Sequence, residues 1–147
     1  MIALSAEGGA RGEDVVRRLS SEYLLLRSYA QALQQRADIL NRVIADIDGT
    51  LSSLETIKGL GDEDVVLFPL GSASYIRGKV VDKGKVLVDV GAGVVVEKDV
   101  DEAVEYLRER QRDAQLELKT VLAQLQQVTT RLEQIEAALE RAARGTR

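Results

Sequence analysis

The residues of this chain that are best suited to chemistry stand together at positions 46–50, in the order Asp-Ile-Asp-Gly-Thr. Two carboxylates separated by one residue, on a loop after an apolar strand, could serve phosphoryl transfer and together hold Mg²⁺. Asp46 would be the nucleophile and Asp48 the general acid–base, while the apolar residues 43–45 would form the strand. The sequence therefore offers one candidate enzymatic site.

The pattern is similar to the nucleophile motif of haloacid-dehalogenase-type phosphatases, but its surroundings favour a helix. That chemistry needs a loop at the end of a parallel strand in a doubly wound sheet. Here an apolar repeat with steps of three and four residues continues through the motif, at Ile44, Ile47, Leu51 and Leu54. We therefore interpret the motif as a coincidence on a helix and expect no catalytic, cofactor-binding or metal-binding residue. The phosphatase is the enzymatic alternative.

The composition removes several classes of function. The 147 residues include no His and no Cys, so the usual neutral-pH base, the commonest metal ligand and thiolate chemistry are missing. A net charge of −4 argues against a nucleic-acid surface. No apolar run approaches the ~20 residues that span a bilayer. We expect a soluble, cytoplasmic protein with neither nucleic-acid nor membrane partners.

Two apolar repeats of similar length occupy the two ends of the chain. The first falls on Val16, Leu19, Tyr23, Leu26, Ala30, Leu33, Ala37, Leu40, Ile44, Ile47, Leu51 and Leu54. The second falls on Val104, Leu107, Gln111, Ala114, Leu118, Val121, Leu125, Val128, Leu132, Ile135, Leu139 and Ala142. An apolar residue every three and a half positions is typical of a coiled-coil seam.

The repeats predict two helices, over residues 13–58 and 99–144, that pair antiparallel within one chain. In that arrangement Leu54 faces Val104 and Val16 faces Ala142, so both apolar stripes begin and end together. Gly8, Gly9 and Gly12 interrupt any pattern before the first helix. We therefore expect residues 1–12 to be a disordered N-terminal tail.

Between the helices, residues 64–98 change to the pattern of β-strands. Four short Val-rich runs separated by Gly- and Pro-containing turns predict two consecutive hairpins. Two isolated hairpins are marginal in water and leave free edges, so we expect them to pair with strands of other subunits in an intersubunit β-barrel. The fold class is thus α+β, with a long two-helix coiled coil and two hairpins. The residues we assign to assembly are Val66, Phe68, Tyr75, Ile76, Val86, Val88, Val90, Val94 and Val96.

Some apolar residues lie outside the first seam, near the start of the first helix. Val15, Leu24 and Leu25 fall on its outer positions, where they favour a surface for apolar partners. The alternatives are the ordinary tolerance of single apolar residues on a surface and packing against another helix.

The strand region resembles that of the prefoldin family. Residues 67–78 (LFPLGSASYIRG) and 88–98 (VDVGAGVVVEK) resemble the two hairpins of its archaeal-like alpha-type subunits. The resemblance implies a hexamer of two alpha and four beta-type subunits that holds non-native proteins without ATP or any other cofactor and delivers them to a group II chaperonin.

The same resemblance implies that clients are bound at the free tips of the coiled coils. The residues assigned to client binding on this basis, and on their position near the ends of the seam, are Val15, Val16, Leu19, Tyr23, Leu24, Leu25, Leu132, Ile135 and Leu139. A structural, filament-forming protein of the same fold is the alternative function.

Overall fold

A computed structural model describes residues 2–145 and contains two long helices joined by two β-hairpins. The elements in order are α1 (Ile2–Lys58), β1 (Val66–Gly71), β2 (Ser74–Gly78), β3 (Lys85–Gly91), β4 (Val94–Asp99) and α2 (Val100–Gly145). Strand β1 pairs with β2, and β3 pairs with β4, each in a separate two-stranded antiparallel sheet. The predicted combination of two long helices and two hairpins is confirmed.

The helix α1 begins earlier than the sequence predicts. Residues 2–12 are helical, so their assignment to a disordered tail is wrong; Met1 lies outside the described residues. Glycine in a helix costs about 1 kcal/mol relative to Ala, but Ala3, Ala6 and Ala10 stand among these glycines. Adding residues to an existing helix avoids the cost of nucleation, which is the larger barrier.

The described residues fall into two compact units. The terminal unit comprises the part of α1 up to Asn41 and the part of α2 from Leu116 onward. The hairpin unit is Arg42–Gln115 and contains both hairpins.

In the terminal unit the two helices run antiparallel with the predicted seam between them. Glu22 contacts Arg131 and Arg36 contacts Glu117, so residue numbers rise on one helix as they fall on the other. The best-buried seam residues are Leu33, Ala37, Leu40, Val121, Val128 and Ile135. Burial decreases toward the start of the seam, where Val16 is 37% exposed. Packing therefore becomes thinner toward the chain ends.

In the hairpin unit the helices are also antiparallel, as the contacts of Lys58 with Asp101 and of Asp48 with Gln111 together show. Its core consists of Ile47, Leu54 and Leu107. Val86 of β3 packs against this core, so the second hairpin is anchored on the helices.

The two hairpins share one design. Phe68 pairs with Ile76 in the first and Val88 with Val96 in the second, a shift of 20 positions in both partners. In each hairpin the two strands are joined by a two-residue turn in which both residues have positive φ. Type I′ turns have this conformation, and their twist matches the twist of the paired strands. Ser72 and Ala73 form the first turn, at φ of 48° and 58°. The second hairpin is thus a structural repeat of the first.

Candidate functional site

The aspartate motif is part of α1 and is engaged in structural contacts. Thr50 Oγ1 donates a hydrogen bond to the carbonyl oxygen of Asp46 at 3.0 Å. Asp48 Oδ1 accepts one from Gln111 Nε2 at 2.7 Å. Residues two apart on a helix do not face each other, so the two carboxylates do not converge on one metal ion. The interpretation of the motif as part of a helix is confirmed.

Among the side chains of residues 9–145, no group of three or more acidic residues is placed to hold a metal ion. Within that range, neither long helix has an apolar stretch sufficient to cross a membrane.

Gln111 is the polar residue of the second seam, and it links the two helices. Its Nε2 donates to the carbonyl oxygen of Ile44 at 3.1 Å as well as to Asp48. A single polar residue in a seam fixes register, because any slip of one helix against the other would leave its amide without these acceptors. The helices in the hairpin unit are therefore aligned by a specific contact.

The hairpins carry most of the exposed apolar surface of the described residues. Twelve of the twenty exposed large apolar side chains lie between Val65 and Val96. Those that the sequence assigned to assembly are Phe68, Tyr75, Ile76, Val90, Val94 and Val96. When a single chain exposes so many apolar side chains in one region, that region is typically covered by another chain.

Val66, Val86 and Val88 differ from the other residues assigned to assembly. Val66 and Val86 are half-buried, and Val88 is only 8% exposed within its own chain. Val88 therefore supports the packing of the protomer itself, and in this chain it does not present a free surface to another subunit.

Further exposed apolar residues in the hairpins were missed by the sequence reasoning. They are Val65, Leu67, Leu70, Val81, Leu87 and Val95. Val94, Val95 and Val96 are all exposed although neighbouring strand residues point to opposite faces. The signal was present in the sequence, since a continuous apolar run indicates a strand covered on both faces.

Phe68 is held in place by a close approach to Gly78. A Cβ atom added at Gly78 would lie 2.8 Å from Phe68 Cε2, closer than such contacts normally are. The ring thus lies over the glycine on the paired strand, where any larger residue would displace it.

The residues assigned to client binding fall into three groups by exposure. Val15, Val16, Leu24 and Leu25 are exposed, whereas Leu19, Tyr23, Leu132 and Leu139 are half-buried in the seam. Ile135 is 0% exposed. Leu24 and Leu25, at 65% and 73% exposed, are accessible without any rearrangement. A contact through Ile135 would require the helices to separate.

Two polar contacts join the helices beside these residues. Arg131 donates from Nε and Nη2 to the two carboxylate oxygens of Glu22, at 2.8 and 2.9 Å. The hydrogen bond from Arg131 lowers the pKa of Glu22 below its ordinary value. The Tyr23 hydroxyl donates to Glu136 Oε1 at 2.8 Å, which raises the pKa of Tyr23. These contacts hold the helices in register beside the apolar seam.

The chain was compared with known families and proteins. A family model described as "Prefoldin subunit" matches residues 26–145. The chain is 31% identical over 122 residues to a protein named prefoldin subunit alpha from Thermofilum pendens, covering 83% of this chain and 95% of that protein. It is 30% identical over 127 residues to one of the same name from Pyrococcus horikoshii, covering 86% of each.

Among solved structures, a filamentous PFD from Methanocaldococcus jannaschii has the same fold. The TM-score is 0.69 at 23% identity, over 80% of this chain and 97% of that chain. The matched family region contains both hairpins and most of both helices, and the relatives align over nearly their whole length. The chain therefore belongs to the prefoldin family, as a subunit of its alpha type.

Proposed function

We propose that this prefoldin subunit carries out its chaperone role by binding non-native proteins, without ATP, through apolar side chains of the terminal unit. The observation that carries the proposal is the exposure of Leu24 and Leu25, at 65% and 73%, outside the seam of the coiled coil. Non-native chains expose apolar segments of no fixed sequence. An open apolar surface suits them better than a shaped pocket.

The half-buried seam residues extend this surface. Leu19 and Leu139 lie where packing thins, so a modest separation of the helices exposes them to a client. Each such contact is weak. Several arms in one assembly hold a client firmly, because once one arm has bound, the others act at high effective concentration.

Assembly with beta-type subunits, two alpha to four beta, is the second part of the proposal. It is supported by the many exposed apolar side chains of the hairpins and by their free strand edges in the single chain. The related proteins are named as alpha subunits, which implies other subunit types. Delivery of clients to a group II chaperonin, in the cytoplasm, completes the proposed role, which contains no catalytic step.

The experiment is suppression of client aggregation by the full chain and by its Leu24→Ser/Leu25→Ser variant. The matched control is Leu116→Ser/Leu122→Ser, which removes two leucines that are also exposed in the terminal unit but lie on α2. We expect the first variant to lose most of its suppression and the control to retain it, with light scattering as the readout. Equal activity of all three proteins would exclude Leu24 and Leu25 as client contacts.

A filament-forming role is the second candidate. The similar structure from Methanocaldococcus jannaschii is described as filamentous, and the two equivalent hairpins of this chain offer two similar docking elements. Native mass separates the candidates. A defined complex formed only with a beta-type subunit supports the chaperone, whereas open-ended polymers of this chain alone support the filament.

A further inference from the structure

The flank of α1 near the start of the terminal unit carries arginines beside apolar side chains. Arg11, Arg17 and Arg18 line an open trough together with Val15 and Leu25. All five residues are exposed. We call these five residues the arginine flank.

The positive charge of the arginine flank is only partly offset by nearby carboxylates, those of Asp14 in the same trough and of Glu13, which lines a neighbouring trough with Arg17. Among side chains of residues 9–145, none forms an ion pair with Arg11, Arg17 or Arg18. Asp14 and Glu22 also line the trough. Glu22, however, is bound to Arg131 through both carboxylate oxygens, so its charge is already compensated. The flank is therefore an apolar surface with a net positive charge.

The corresponding flank of α2 has the opposite character. A trough there is lined by Glu133, Glu136 and Glu140 around Leu139. The two helices of the terminal unit thus present apolar residues in opposite electrostatic settings. A client segment meets different surfaces on the two sides of the same coil.

We propose that the arginine flank binds client segments in which carboxylates accompany apolar residues, and so selects acidic over basic apolar segments. This inference rests on the proposed client binding by the terminal unit. Guanidinium groups pair with carboxylates through two parallel hydrogen bonds, while Val15 and Leu25 supply the apolar contact. Charge complementarity thus identifies the occupant as an acidic, apolar stretch of non-native chain.

The expected preference is moderate because the flank is exposed. A solvent-exposed ion pair changes affinity by about 1.4- to 5-fold. Three such pairs acting together give roughly tenfold. The net charge of the whole chain is −4, which by itself would favour basic segments. A preference for acidic segments would therefore have to come from the local positive charge of the arginine flank and not from the net charge of the chain.

The test uses three short unstructured peptides with the same Leu and Phe content, spaced by Glu, by Lys or by Gln. Each labelled peptide is titrated with the full chain, and binding is followed by fluorescence anisotropy. We expect the Glu peptide to bind roughly tenfold more tightly than the Lys peptide at low salt. The advantage should shrink as salt is raised, because salt screens exposed charges.

The variant Arg11→Gln/Arg17→Gln/Arg18→Gln should lose the preference for the Glu peptide over the Lys peptide while still binding the Gln peptide. The control is Arg42→Gln/Arg108→Gln/Arg112→Gln, which makes the same charge change at exposed positions of the hairpin unit. The control should keep the preference for Glu.

Equal binding of the Glu and Lys peptides to the native chain would overturn the inference, as would loss of the preference in the control. Failure of the underlying proposal gives a different result. In that case the Gln peptide would bind Leu24→Ser/Leu25→Ser as tightly as it binds the native chain.

Discussion

At the scale of single residues, the structure assigns roles that residue type alone would misplace. Asp48 belongs to a motif that looks enzymatic, yet its carboxylate accepts a hydrogen bond from Gln111 of the facing helix. Gln111 looks like a flaw in an apolar stripe, yet its amide reaches across to the backbone of Ile44. Both residues serve the alignment of two helices. The uninterrupted heptad pattern was sufficient to predict that the motif lies on a helix, but not that Asp48 and the carbonyl group of Ile44 are the partners of Gln111.

Gly78 is a position where one added carbon should have a measurable effect. The Cβ of Gly78→Ala would lie 2.8 Å from the Phe68 ring, so the ring must move or the paired strands must separate. We expect a loss of about 1–3 kcal/mol in the free energy of unfolding, as for other overpacked sites. Urea unfolding followed by circular dichroism measures it.

Gly49 provides the matched control, because a Cβ there meets nothing within 4 Å and the residue lies in α1. Gly49→Ala should raise the free energy of unfolding by about 0.5–1 kcal/mol, since Ala favours helix. A Gly78→Ala protein as stable as the native chain would show that Phe68 is free to turn away.

At the scale of elements, the helices were the most predictable part of the chain. All twelve positions of the second predicted seam are buried or half-buried, and so are all but Val16 of the first. The hairpins were predictable as elements, but the burial of Val88 within its own chain was not. Alternation along a strand does not reveal which face the protomer's own helices cover. The ion pair between Glu22 and Arg131 was also missed. Whether two exposed side chains on facing helices meet depends on how each helix is rotated about its axis, and the heptad pattern does not fix that rotation closely enough.

The contact between Glu22 and Arg131 predicts a pH dependence of helix pairing in the terminal unit. The pKa of Glu22 is lowered from its ordinary value of 4.5 by the hydrogen bond with Arg131. A carboxyl group with a lowered pKa stabilises the fold above its ordinary pKa, and this contribution is lost as pH falls through the folded value. Glu22→Gln should therefore be less stable than the native chain at neutral pH, and equally stable well below pH 4.5.

Thermal unfolding of both proteins as a function of pH measures the difference. Comparing the two proteins at each pH cancels the titration of the other carboxyl groups. A difference that persisted unchanged into strong acid would show that the effect is not due to ionisation of Glu22.

At the scale of the whole molecule, the apolar residues that helices and hairpins leave uncovered are the ones to which we assign the proposed function. The hairpins carry many exposed apolar side chains, and the leucines near the start of α1 lie outside the seam. The composition already indicated that this chain does not bury an ordinary core, since aromatics make up 3% of it. What composition could not indicate is which uncovered residues meet permanent partners and which meet transient ones.

A substitution at Val94 tests whether the exposed hairpin residues form the assembly surface, without disturbing the fold of the protomer. It is exposed in the single chain, so Val94→Lys should fold normally but lose assembly with a beta-type subunit. Burying an unpaired ammonium group costs several kcal/mol, enough to break an interface. Leu116→Lys, exposed on α2, is the control and should assemble. Native mass spectrometry gives the result, and a full-size complex with the Val94 variant would place that residue outside the interface.

The central claim is that clients contact the exposed leucines of α1. Site-specific photo-crosslinking tests it most directly, with a photoreactive residue placed at Leu25 in one protein and at Leu122, exposed on α2, in another. Each protein is irradiated with a denatured client after assembly. The account predicts strong crosslinks to the client from position 25 and few from position 122. Equal crosslinking from both positions, or none from position 25, would contradict it.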